Sequence, residues 1–246
     1  MKSWLKLTWV DFKLINRNAV VVFFTFAFPV LNVLLFGTMY GNQPTPIFGG
    51  RGSADIMTPG YMAALVIGSS AFMNLPLEMA TRRQMGVLRR FRASPLHPLV
   101  VIGAQVVVGI LTTLLSAALL LATSRLAFGA MLPAAPLALV AAMIFSCLSL
   151  YALSMLLSNL FRSVATTRAV FMALYFPMMF ISGGSLPMQF LPKAVQQISH
   201  FLPLTYVVDL CKSVYLDGRW DLTALAVLGA ILVVATVLSV RFFRWE

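Results

Sequence analysis

The sequence predicts an all-α integral membrane protein with six transmembrane helices, and three observations carry that expectation. Hydrophobic residues make up 60% of the 246 positions and charged ones 10%, far from the balance of a soluble domain. Six strongly apolar stretches fill most of the chain, roughly 19–41, 58–79, 99–123, 134–160, 169–182 and 222–243. A helix crossing the hydrocarbon core needs about 20 mostly apolar residues, and four stretches have that length with Arg241, near the end of the last, as their one charge. The basic residues between the stretches fall almost entirely on alternate connections.

That alternation orients the chain. Lys2, Lys6, Lys13, Arg17, Arg82, Arg83, Arg89, Arg90, Arg92, Arg162, Arg168, Arg241 and Arg244 fall on one side. Only Arg51, Arg125, Lys193, Lys212 and Arg219 fall on the other. Basic residues flanking spans stay cytoplasmic, so both termini are expected inside. Four of the seven acids, Asp55, Asp209, Asp217 and Asp221, are expected outside. The net charge of +11 is then orientation charge and contact with anionic lipid headgroups, not a nucleic-acid footprint.

Residues 1–18 read as an amphipathic arm. Lys2, Lys6, Lys13 and Arg17 share a roughly 60° arc at ~100° per residue. Trp4, Leu5, Leu7, Phe12, Leu14 and Ile15 spread over the opposite side. Such a helix lies in the headgroup plane, and both an anchoring and a partner-docking role remain open. Asp11 projects from the apolar face and needs a cation, for which the arginines after the second span are candidates. The first span is too long for the apolar core of a cleavable signal peptide.

The second span ends at Glu78, where the cytoplasmic connection 80–98 begins. Thr81 to Pro98 reads T-R-R-Q-M-G-V-L-R-R-F-R-A-S-P-L-H-P. As a helix it places Met85, Leu88 and Phe91/Arg92 on one face. Ser94-Pro95 and His97-Pro98 end it, because proline cannot continue a helix and restricts its predecessor. Two or three arginines suffice for orientation, so five with a defined stop point to a docking surface.

The fifth span is short. Pro177 interrupts it and Gly183-Gly184 breaks it, opening an outer segment, 183–221. Leu-Pro pairs at Pro187, Pro192 and Pro203 follow. Proline favours the first turn of a helix, which predicts short helices over roughly 192–200 and 203–216. Leu204, Val207/Val208, Cys211 and Val214/Tyr215 form an apolar stripe on the second. Neither can span, so the segment is expected to be a re-entrant hairpin that dips back from the outer face.

Five polar residues lie at membrane depth: Asn32, Asn74, Glu78, Gln105 and Asn159. Ionisable groups there are functional candidates. Asn32, Asn74 and Glu78 are candidate pathway groups, although Glu78 also suits an i,i+4 ion pair with Arg82. Asn32 and Asn74 suit interhelical hydrogen bonds. Cys147, deep in the fourth span, and Cys211, on the outer side, are expected to stay free. No H-E-x-x-H or carboxylate cluster indicates a metal, and no G-x-x-x-x-G-K-[ST] loop is present. The connections are too short for a nucleotide-binding domain, so the chain reads as a single transmembrane domain, 1–246, fuelled from elsewhere.

R-x-x-G-V-L-R-R-F-R-A-S-P-L closely resembles the cytoplasmic signature of the ABC type-2 exporter permeases, especially the daunorubicin-resistance and nodulation-factor export permeases. S-G-G-S-L-P-M-Q-F-L-P from Ser182 and L-P-L-T-Y-V-V-D-L from Leu202 resemble the family's outer segment. The resemblance covers nearly the whole chain. It implies a permease half in a bacterial inner membrane, paired with a second copy or a sister permease and with an ABC ATPase subunit. ATP and Mg would bind that ATPase, and this chain would bind no cofactor. The coupling element would map onto Arg82, Arg83, Gln84, Gly86, Leu88, Arg89, Arg90 and Pro95. Gly183, Gly184, Pro187, Pro192, Pro203, Tyr206 and Asp209 would belong to the outer gate. Gln84 departs from the family, whose members often carry a glutamate there; a glutamine keeps a hydrogen bond but not an ion pair. The implied activity is outward movement of a hydrophobic, drug-like or lipid-linked substrate.

Two other classes compete. A gradient-driven secondary transporter would want more ionisable groups in its spans and a visible inverted repeat. An intramembrane serine hydrolase is faintly suggested by Ser185 near His200, but such enzymes place these groups on separate packed spans.

Overall fold

The second apolar stretch and the residues just before it are rich in small residues: Ala54, Gly60, Ala63, Ala64, Gly68, Ser69, Ser70 and Ala71. Small residues let helices approach closely in lipid, where association rests on packing and hydrogen bonds. The computed structural model describes residues 19–44, 50–85, 98–161 and 163–242. In chain order its helices are α1 (19–40), α2 (Ser53–Gln84), α3 (Pro98–Phe128), α4 (Pro136–Ser158), α5 (Val164–Ile181), α6 (Lys193–Ser199), α7 (Pro203–Asp217) and α8 (Leu222–Phe242). A single 3₁₀ turn, Met188–Phe190, precedes α6. Among the described residues, six of these eight, all but α6 and α7, are long and apolar enough to cross a membrane.

The small-residue helix becomes the hub. Within its apolar window 89% of α2 is buried, against 17 to 50% for the other five long helices. Helices α1, α3, α4, α5 and α7 all pack on it, while α8 lies chiefly against α4 and α7. Its 32 residues extend about 48 Å at 1.5 Å per residue, beyond the ~30 Å hydrocarbon core. The apolar run 58–79 is therefore only its middle, and Asp55, Arg82 and Arg83 towards its ends belong to the same helix.

Polar side chains stitch the bundle at several depths. Thr58 and Ser124 hydroxyls meet at 2.6 Å, as do those of Ser70 and Tyr151. Tyr175 Oη donates to the Ala64 carbonyl at 3.1 Å. In α1 the chain adopts π-helix over Phe23–Ala27, next to Pro29. Pro29 has no N–H, so the Thr25 carbonyl lacks its usual i+4 donor, and the Ser116 hydroxyl of α3 takes that place. A sequence break in one helix thus becomes a tie to another.

Several boundaries move for physical reasons. Helix α5 starts at Val164, capped by Ser163, whose hydroxyl accepts from the Thr166 amide at 3.0 Å. It therefore includes Arg168, which the sequence pattern assigns to the preceding connection. Pro177 does not interrupt α5; the helix runs through it to Ile181, because a proline removes a single hydrogen bond from an otherwise continuous ladder, a loss that membrane helices tolerate. Helix α3 runs on to Phe128, and Arg125 donates to the Gly129 and Ala130 carbonyls beyond its end. The two short outer helices form within a residue or so of expectation.

Candidate functional site

On α2, Ser70, Asn74, Glu78 and Arg82 recur every four residues and so share one face. That face meets Val21 of α1 and Gln105, Val108, Gly109 and Thr112 of α3 around a cleft of about 50 Å3. Arg82 Nε donates to Glu78 Oε1 at 2.8 Å, which realises the i,i+4 pair expected from spacing. The carboxylate is the more open partner, 43% exposed against 11% for the guanidinium. Asn74 Nδ2 donates across to Thr25 Oγ1 on α1 at 3.0 Å, an interhelical bond as predicted.

Asn32 behaves otherwise. Its Nδ2 donates to the Phe28 carbonyl at 2.8 Å, four residues back on its own helix. The expected interhelical bond is not made, because the polar group at this position is satisfied locally and needs no neighbour. It lies outside the cleft.

Gln105 is the anomaly. The residue is 5% exposed, and neither its Oε1 nor its Nε2 has a hydrogen-bond partner. An orphaned buried amide costs about 1–3 kcal/mol, and such groups call for an explanation beyond packing. A second cleft, about 160 Å3, shares Val21 and Asn74 with the first; Phe24, Phe72, Phe171 and Arg168 help to line it. The polar stripe every fourth residue, together with Gln105 and Thr112 seven apart on α3, was a signal available in the sequence.

Beyond the cleft, Arg83 turns the other way. Its Nη2 donates to Asn159 Oδ1 at 2.9 Å, and its Nη1 to the Phe161 and Ser158 carbonyls at 3.3 and 3.5 Å. A cation on the last carbonyls of α4 complements that helix's dipole, so Arg83 ties α2 to α4. Gln84 and Met85 are exposed. Gly86, Leu88, Arg89, Arg90 and Pro95 of the coupling segment lie outside the described residues. So do Lys2, Lys6, Asp11, Lys13 and Arg17 of the arm.

At the opposite end of α2 the outer segment is bolted in place. Gly183 has φ +74°, the left-handed region that favours glycine. A Cβ on Gly60 would come within 2.5 Å of the Gly184 carbonyl oxygen, and one on Gly184 would collide with the Ala64 methyl. The two glycines let the turn after α5 lie directly on α2. Lys212 Nζ donates to the Gly183 carbonyl at 2.7 Å. Burial lowers the Lys212 amine to about 8, although Asp209 pulls it back. Burial raises the Asp209 carboxyl, which Lys212 in turn opposes. The expected stripe of α7, from Leu204 to Tyr215, is buried. Pro187, Pro192 and Pro203 stand at the starts of the 3₁₀ turn, α6 and α7. Tyr206 Oη donates to the His200 carbonyl at 2.8 Å, tying α7 to the turn that follows α6.

Ser185 is buried, its Oγ has no partner, and His200 is exposed. The structure does not bring the two together by a hydrogen bond. Both cysteines are free and buried. Among the described residues no group of three or more His, Cys, Asp or Glu could hold a metal.

Comparison with known proteins agrees with this helical membrane architecture. No curated protein matches the chain. The family model described as ABC-2 type transporter matches residues 2–216, which takes in the cleft, the connection 80–98 and nearly all of α7. The chain belongs to the ABC-2 type transporter family.

Proposed function

We propose that this chain is the permease subunit of an ATP-driven ABC exporter, moving a hydrophobic, drug-like or lipid-linked substrate outward. The family match carries the reading. A separate ABC ATPase subunit binds ATP and Mg beneath the membrane, and a second copy or a sister permease completes a dimer. Both termini face the cytoplasm of a bacterial inner membrane. The coupling surface runs from Arg82 through Gln84, Gly86, Leu88, Arg89 and Arg90 to Pro95, helped by the basic stripe of the arm. The Glu78–Arg82 pair at 2.8 Å and the Arg83 tie to α4 support it: a push on the connection is passed to the hub helix and to α4 without slack. The outer segment, pinned by Lys212 to Gly183, caps the pathway on the far side.

Charge reversal at Arg89→Glu/Arg90→Glu is the test. Transport and stimulation of the companion ATPase should fall at least tenfold while expression and membrane insertion persist. If both activities survive, the coupling assignment is wrong. The permease alone in sealed vesicles should move nothing uphill, and an ATPase-dead companion should abolish export.

A further inference from the structure

The cleft between α1, α2 and α3 holds a polar group that nothing among the described residues satisfies. Gln105 is 5% exposed and its carboxamide has neither a donor nor an acceptor opposite it. The other wall is the Glu78–Arg82 ion pair, whose carboxylate is the exposed member. Asn74 and Ser70 stand on the same face of α2, their outward bonds already made to Thr25 and Tyr151. We propose that this cleft is a seat for a zwitterionic, primary-amine head group of the phosphoethanolamine class.

The chemistry follows from what the wall lacks and offers. A carboxamide needs both a donor for its oxygen and an acceptor for its nitrogen. A carboxylate beside it favours a cation, and charge-assisted hydrogen bonds are about twice as strong as neutral ones. A primary ammonium brings three N–H donors, enough for the Glu78 carboxylate and the Gln105 oxygen together. The phosphate oxygens one short linker away supply the acceptor for Gln105 Nε2. The ion pair is neutral overall, so a zwitterion matches it sign for sign. A trimethylammonium group has no donor for the Gln105 oxygen. An anionic glycerol head group brings no cation to Glu78. A cleft of about 50 Å3 suits a compact head group and leaves the acyl chains in lipid. The seat requires only a membrane-embedded bundle, and it stands whether or not the export reading does.

The full-length permease reconstituted in nanodiscs of equal parts phosphatidylethanolamine, phosphatidylcholine and phosphatidylglycerol provides the test. Lipids retained through graded delipidation are counted by native mass spectrometry. The wild type should retain phosphatidylethanolamine over the other two by on the order of tenfold. Gln105→Leu and Glu78→Gln should each bring that preference down to the level of phosphatidylcholine. Equal retention of the three lipids by the wild type, or an unchanged preference in both variants, overturns the proposal. The wild-type comparison needs no variant to fold. Displacement of the retained lipid by millimolar O-phosphoethanolamine would show that the soluble zwitterion is sufficient. Failure of that displacement would show that the lipid anchor is part of recognition. Companion ATPase stimulation, measured on the same samples, reports on the export reading separately.

Discussion

The two ends of α2 are built on opposite principles. At the outer end, Asp55 Oδ1 accepts from the Met131 amide at 2.7 Å and from Asn42 Nδ2 at 3.4 Å, and Oδ2 accepts from the Gly52 amide at 3.3 Å. The Tyr215 hydroxyl donates to the Met131 carbonyl at 2.6 Å, Ala134 N–H donates to the Tyr215 carbonyl, and Arg51 pairs with Asp217. One carboxylate thus gathers the loops after α1 and α3, and α7 closes over them. At the other end Gln105 is orphaned, Arg83 Nε is buried without a partner, and a cleft opens beside an ion pair. Natural proteins satisfy their buried polar groups with few exceptions. At the outer end the Ser185 hydroxyl is unpartnered too, but the cleft end strands a whole carboxamide and part of a guanidinium; binding and motion are to be sought there, and the more fully bonded end is the anchor.

Substitutions at the two ends should therefore differ in sign as well as size. The largest loss is expected for Gly184→Val, because the added carbons meet the Ala64 methyl and the Gly60 backbone. Overpacking against backbone should cost about 3 kcal/mol, read as a lowered melting temperature of the purified permease. Asp55→Ala should cost about 2 kcal/mol by stranding the Met131 and Gly52 amides. A melting curve unchanged from wild type would remove the outer knot from the account. Gln105→Leu should instead stabilise by about 1 kcal/mol, since it deletes an unsatisfied buried amide of similar volume.

Lys212 offers a pH handle on the outer end. Its amine ionises near 8 in the folded protein, below the ordinary lysine value of 10.5, because of burial. The folded state therefore disfavours the charged form, and the penalty is present in full below about pH 8. It fades as pH rises from about 8 towards 10.5, where only the unfolded chain still holds the proton. Lys212→Met removes both the titration and the bond to Gly183, so its stability relative to wild type should fall between about pH 7 and pH 9. A difference that stays constant with pH would mean the amine is not desolvated. The smallest effect belongs to Arg51→Ala, because the pair with Asp217 is 38% and 51% exposed and exposed pairs contribute about 0–1 kcal/mol.

The spans were legible because lipid imposes a crude, one-dimensional rule: an apolar run of sufficient length must be a helix. The outer helices were legible because Pro192 and Pro203 fix where each can start. The Glu78–Arg82 pair was legible because i and i+4 are neighbours on any helix. The true length of α2 was not, since an apolar count stops at Asp55 and Glu78 whereas helical hydrogen bonding does not. The extent of α5 was missed for the same reason at Arg168. Asn32 was misplaced because its nearest acceptor is on its own helix, a choice that depends on what stands opposite.

By itself, then, the sequence determined the class of molecule, the number of its spans and the stripe of polar residues on α2. Hydropathy, proline position and helical periodicity are local properties that any fold of this chain would share. Only the tertiary structure decided that α2 is the hub, that Gly60 and Gly184 touch, that Arg83 holds α4, and that Gln105 faces a cleft unpaired. Those facts depend on which faces meet across long separations in the chain, and in a bilayer, where every span is apolar, hydrophobicity does not distinguish one face from another. Close packing of small residues and the placement of a few hydrogen bonds make that choice.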